Sequence, residues 1–182
     1  MKTVIVFAFA IFVFILFPGG TRSPVLPVPS IQVASAATAA PAASWLSIPA
    51  INLAAFIQPV GTDPDGSMSV PVIPNTVGWY ENGTAPGAVG SAVLDAHVYL
   101  AFKRLKNLST GNSIYVTQSD GSRLHFVVQS MKSYYYRAVP LQKLFTANDA
   151  ARLNLITCAG KWLPDKGTYD HRLVIYAKLA GS

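Results

Sequence analysis

Residues 45–182 are predicted to form an all-β domain of seven or eight short strands, closed into a barrel or stacked as a sandwich. Three observations predict it. Apolar residues recur with period two or in short continuous runs, not every three or four positions. Turn residues (Gly, Pro, Asp, Asn, Ser) cut these runs repeatedly. Helical patterning is scarce, with Tyr99–Leu108 and Leu141–Leu153 each able to hold one short helix.

In chain order, Ser47–Pro59 alternates Ile48, Ile51 and Leu53 between edge prolines, as a strand does. Asp63-Pro64-Asp65-Gly66 reads as a turn leading into a strand over Ser69–Ile73. Gly90–Val98 is almost continuously apolar, the pattern of a strand buried on both faces. Ser113–Gln118 and Arg123–Tyr136 flank Ser119-Asp120-Gly121-Ser122, a strong hairpin signal. Leu153–Cys158 and Arg172–Leu179 supply two closing strands.

The chain has 182 residues, enough for one domain with a core and too few for two of ordinary size. Charged residues make up 12%, about half the share of a typical soluble domain. Part of that imbalance comes from residues 1–44, which hold Lys2 and Arg22 and no acid; without them the net charge falls from +6 to +4. One cysteine excludes a disulfide scaffold, the apolar content excludes a disordered chain, and a single long apolar run excludes a polytopic membrane protein. The positive charge is dispersed without a basic stripe, so nucleic-acid binding has no support.

Met1-Lys2, the uncharged run Thr3–Phe17 and Pro18-Gly19-Gly20 follow the basic, apolar and helix-breaking order of a secretory signal. The run has 15 residues, short of the ~20 of a comfortable span. Ala34-Ser35-Ala36 fits a cleavage pattern but lies 17 residues past Phe17. An uncleaved N-terminal anchor over 1–20 is therefore expected in preference to a cleaved signal. A Pro/Ala/Ser-rich tether over 21–44 and a domain over 45–182 held outside the cytoplasm follow from it.

The chemical inventory is one cysteine, three histidines and one glutamate. Cys158 ends the strand LNLITC and is followed by Ala159-Gly160, a place where a strand hands a side chain to a cleft. A buried thiol packing as a small hydrophobe accounts for the same position equally well. A cysteine nucleophile needs its thiolate, which an imidazole can generate or stabilise. His97 ends the apolar strand GSAVLDAHV; His125 alternates with Leu124 and Phe126 and so faces outward; His171 lies in the loop KGTYDHR. Spacing slightly favours His97. Arg172, at the head of the last strand, has the two donors that an oxyanion needs, although a solvated strand-end arginine looks the same in sequence. No G-x-S-x-G, Walker A or H-E-x-x-H motif occurs. Zinc lacks a local ligand pair, and Asp63-x-Asp65-Gly66 lacks the acidic residue that would complete a calcium loop.

The stretches WLSIPAINL, DPDGSMSVP, VGWYENGTAPGAVGSAVLDAHV, FKRLKNLSTGNSIYV, LNLITC and RLVIYA cover nearly all of 45–180. Together they resemble the sortases, cysteine transpeptidases of the bacterial cell surface, most closely class F and next class E. The specific set is a histidine after the buried strand, LITC, and an arginine 14 residues beyond the cysteine. The resemblance implies a closed eight-stranded β-barrel, with Cys158 as nucleophile, His97 as general acid/base and Arg172 steadying the oxyanion or positioning the substrate. It also implies cleavage of an LPxTG-type signal between Thr and Gly, a thioacyl-enzyme, and transfer to an envelope amine or to water.

LPxTG-bearing surface proteins are the expected partners, and a monomer without cofactor or metal is expected. Thr157 matches the family's threonine, whereas Ala96 replaces the usual glycine and Tyr99 an acidic or small residue. All three are expected beside the groove, with Tyr134–Tyr136 and Lys161–Thr168 near its mouth. A variant signal such as LAxTG, or a non-catalytic envelope-binding module on the same barrel, are the alternatives. An L,D-transpeptidase would carry a histidine just before the cysteine, where this chain has Leu155-Ile156-Thr157.

Overall fold

Alternation and turns resolve into eight strands in the computed structural model, which describes residues 42–181. The expected anchor over 1–20 and the tether as far as residue 41 lie outside the described residues. The strands are β1 (Ala43–Ile48), β2 (Leu53–Val60), β3 (Val77–Tyr80), β4 (Gly90–Asp95), β5 (Ser113–Gln118), β6 (Arg123–Tyr135), β7 (Ala151–Leu163) and β8 (Thr168–Leu179). They close in the order β1-β2-β3-β4-β7-β8-β6-β5, so the barrel, not the sandwich, is the fold. Closure leaves no sheet edge open to another chain. β1 opens with Ala43, which pairs with Gln118 of β5, and the ladder resumes at Trp45 after an irregularity at Ser44.

The β5–β6 turn forms where the sequence placed it. Gly121 takes φ +83°, and the Asp120 side chain accepts the Ser122 amide at 2.9 Å. Ser69–Ile73 departs from expectation: its neighbourhood offers only an isolated bridge between Thr62 and Met68. Pro71 and Pro74 cannot donate to a ladder. Both expected helices shrink. Tyr99–Leu108 contains one 3₁₀ turn over Leu105–Asn107, with Phe102, Leu105 and Leu108 buried as anchors. Leu141–Leu153 yields a one-turn helix α1 (Leu141–Phe145), after which the alternation of Ala151, Leu153 and Leu155 enters β7.

Period-two alternation sorts the side chains into two layers. Ala92, Leu94 and Ala96 on the β4 side, with Leu153 and Leu155 of β7 and Ile175 and Ala177 of β8, fill the barrel interior. Val93, Ile156, Val174 and Tyr176 point outward and form a second cluster with Leu144 of α1 and Tyr134 of β6. The Asn154 side-chain amide donates to the Leu144 carbonyl at 2.7 Å and fastens α1 over this outer face.

Candidate active site

Two pairings decide which polar side chains meet. β4 and β7 run parallel with Asp95 opposite Ile156. Their C-terminal ends therefore emerge at the same end of the barrel, and two further residues along that register bring His97 alongside Cys158. β7 and β8 run antiparallel with Cys158 directly opposite Arg172, and β6 places Tyr134 on the other side of Arg172. Cross-strand partners hold their Cβ atoms within about 5.5 Å. His97, Cys158, Arg172 and Tyr134 thus form a row across the outer face; the first three lie one pleat beyond the apolar cluster that α1 covers, and Tyr134 joins the row to that cluster.

The strand ends differ from the sequence expectation. Cys158 lies inside β7, and Arg172 lies inside β8. What ends at this row is β4: its pairing with β7 stops at Ile156, while the β7–β8 hairpin runs on to Leu163 and Thr168. The cysteine is thus held by one neighbouring strand and half-buried on the side that β4 has left.

Arg172 and His97 are each held in place by neighbours. The Arg172 guanidinium donates to the Tyr169 and His171 carbonyls, both at 3.0 Å, and to the Thr168 hydroxyl at 2.9 Å. The hairpin that supplies these acceptors is itself locked. Asp170 accepts the Lys161 amide at 2.7 Å and lies 2.8 Å from His171 Nδ1. Gly160 stands at φ +81°, where an added Cβ would collide with the Asp170 carboxylate. The His97 ring stacks on Tyr99, centroids 5.1 Å apart and 19° between planes. The His97 carbonyl accepts the Leu100 and Phe102 amides at 3.1 and 3.2 Å, and Phe102 is sunk in the core, so the loop bearing His97 is anchored at its base.

The other expected residues take distinct places. Thr157 is buried, and its hydroxyl donates to the Ala96 carbonyl at 2.6 Å, tying β7 to the segment that carries His97. Ala96 is in the core cluster, so its methyl group packs the barrel and does not reach the groove. Tyr99 is 64% exposed beside His97. His125 bonds Ser113 Oγ at 2.9 Å and stacks on Tyr115, and His171 belongs to the hairpin lock; neither joins the row.

The sequence reading missed Asp95, although a lone acid inside the run GSAVLDAHV was the available signal. Burial pushes its carboxyl up to about 7, against the pull of the Ala96 amide and the Arg172 charge. Burial likewise pushes the Cys158 thiol up; Arg172 draws it down, and the Asp95 charge raises it further. Where Thr157 and Leu173 turn inward, a cavity of about 280 Å³ opens at the barrel end with Cys158 on its wall.

A cysteine, an imidazole and a fixed guanidinium brought together at the mouth of a closed β-barrel form an arrangement capable of nucleophile-dependent acyl transfer, the class of chemistry the site suits. The sortase domain family matches residues 46–180, and the chain belongs to that family; it is a cysteine transpeptidase. The barrel is similar to sortase A from Corynebacterium diphtheriae (a lid mutant) with a TM-score of 0.60 and 23% identity, covering 78% of this chain and 72% of that one. It is also similar to sortase C from Clostridium perfringens, at a TM-score of 0.57 and 22% identity, covering 77% and 70% of the two chains. No curated protein matches the sequence.

Proposed function

We propose that this sortase is an envelope-anchored, class F-like enzyme. In this reading it cleaves an LPxTG-type signal between Thr and Gly through a thioacyl-enzyme on Cys158 and passes the acyl group to an envelope amine. The observation that carries the reading is the row itself: Cys158 directly across from Arg172, with His97 brought alongside by the parallel β4–β7 register. The Cys158 thiolate attacks the Thr carbonyl, and Arg172 neutralises the oxyanion of the tetrahedral intermediate. The His97 imidazolium protonates the departing Gly amine. The incoming amine then gives a proton to neutral His97 and resolves the thioester.

A free thiol titrates near 8.5 and an imidazole near 6.5, so without help the neutral pair predominates at pH 7. Burial pushes the Cys158 thiol up and Arg172 draws it down, so slow turnover through a minor thiolate population is expected.

The test is intact mass of the full chain in detergent after incubation with an LPxTG or an LAxTG peptide, with and without triglycine. The expected result is an adduct of the LPxTG peptide up to Thr, discharged by triglycine and missing in Cys158→Ala. An adduct from LAxTG alone moves the specificity to a class E-like signal. No adduct from either peptide, with Cys158 still open to iodoacetamide, overturns the signal assignment.

A further inference from the structure

The row presents Cys158 outward, yet its strand neighbours Thr157 and Leu173 line a cavity on the inner side. A two-substrate enzyme needs a second approach to its thioester, and Cys158 itself is among the residues that line this cavity at the barrel end. Its lining is chemically one-sided. Tyr99, Lys103 and Lys106 come from the loop after His97, and Gly160 and Tyr169 from the β7–β8 hairpin; no aspartate or glutamate is among its lining residues. Both lysines are exposed at the rim. A volume of about 280 Å³ suits an amino-acid-sized group and not a folded partner.

We infer that this cavity is the acceptor site, and that Lys103 and Lys106 select an amine that carries a carboxylate close to its nucleophilic nitrogen. The inference rests on the thioacyl reading above and names the acceptor class for that same site. Two arguments support it. A carboxylate pairs with the ammonium groups at the rim and anchors the amine pointing inward, toward the cysteine. The same two cations disfavour a third positive charge, so the incoming nitrogen is held neutral, the form that attacks. An acid in the wall would do the reverse and trap it as ammonium. In the step itself the nitrogen bonds to the thioester carbon as the carbon–sulfur bond breaks. The nitrogen's surplus proton passes to His97, and Cys158 leaves as thiolate.

The experiment uses the full chain in detergent, wild type against a Lys103→Gln/Lys106→Gln double variant. Acyl-enzyme is formed with excess peptide, and its discharge is timed with glycylglycine or with glycylglycinamide, which lacks the carboxylate. The wild type is expected to favour glycylglycine about fivefold, the scale of two solvated charge pairs, and the variant to lose that preference. Equal discharge by both amines in the wild type, or a preference that survives in the variant, overturns the inference.

A second ratio needs no thioester: alkylation of Cys158 by iodoacetate relative to iodoacetamide. It should fall several-fold in the double variant. An unchanged ratio overturns the cationic cavity even if no acyl-enzyme forms. A fall in the ratio without any acyl-enzyme leaves the cavity standing and sinks the transpeptidation reading alone.

Discussion

Asp95 is the residue whose charge most directly opposes the chemistry beside it. Burial raises the neighbouring thiol most; Asp95, which keeps its own proton until about pH 7, adds to that once ionised. Asp95→Asn should therefore move the pH profile of Cys158 alkylation to lower pH. A profile that superimposes on the wild type's would show that the carboxylate does not act on the sulfur. Stability carries a second signature. The unfolded chain releases this proton near pH 4 and the folded chain near 7. The Asp95 contribution to stability therefore falls as pH rises between those values, by on the order of 4 kcal/mol, and is flat above them. Asparagine should flatten the slope in thermal melts taken from pH 4 to 8.

At the scale of elements, the site depends on how β4 and β7 are tied where their ladder stops. The tie is the buried hydroxyl of Thr157 on the Ala96 carbonyl. Thr157→Val should cost about 1–3 kcal/mol in urea unfolding, because a buried carbonyl loses its donor. It should also slow acyl-enzyme formation by freeing the His97 segment, while Thr157→Ser should restore both. Failure of serine to rescue would mean that the methyl group, not the bond, matters. This level was only partly legible in sequence. LNLITC and RLVIYA announce strands through their alternation, and His97, Cys158 and Arg172 follow from motif order. Alternation does not report register, so the opposition of Cys158 and Arg172 and the inward turn of Ala96 emerged only with the pairing. The helical expectations failed for a related reason: Phe102, Leu105 and Leu108 have helical spacing because they plug the barrel end, not because the loop coils.

At the largest scale, the described residues form one packed ring. Phe126 of β6 is fully buried in the main core. Phe126→Ala should cost about 3–5 kcal/mol and lower the melting temperature by on the order of 10 °C. Because the row spans β7, β8 and β6, tryptophan fluorescence and exposure of Cys158 to alkylation should report the same midpoint. Separate midpoints would mean that the site melts apart from the barrel.

The place of β8 in the ring has a consequence for synthesis. β8 is the last of the eight strands in chain order, and it lies between β7 and β6. A growing chain that has reached Asp170 already contains all of β7, yet it lacks both Arg172, which pairs across from Cys158, and the strand that closes the ring. The pairings are long-range in sequence, so closure comes late in folding. Cys158 therefore stays without its cross-strand partner until β8 has been made and has paired.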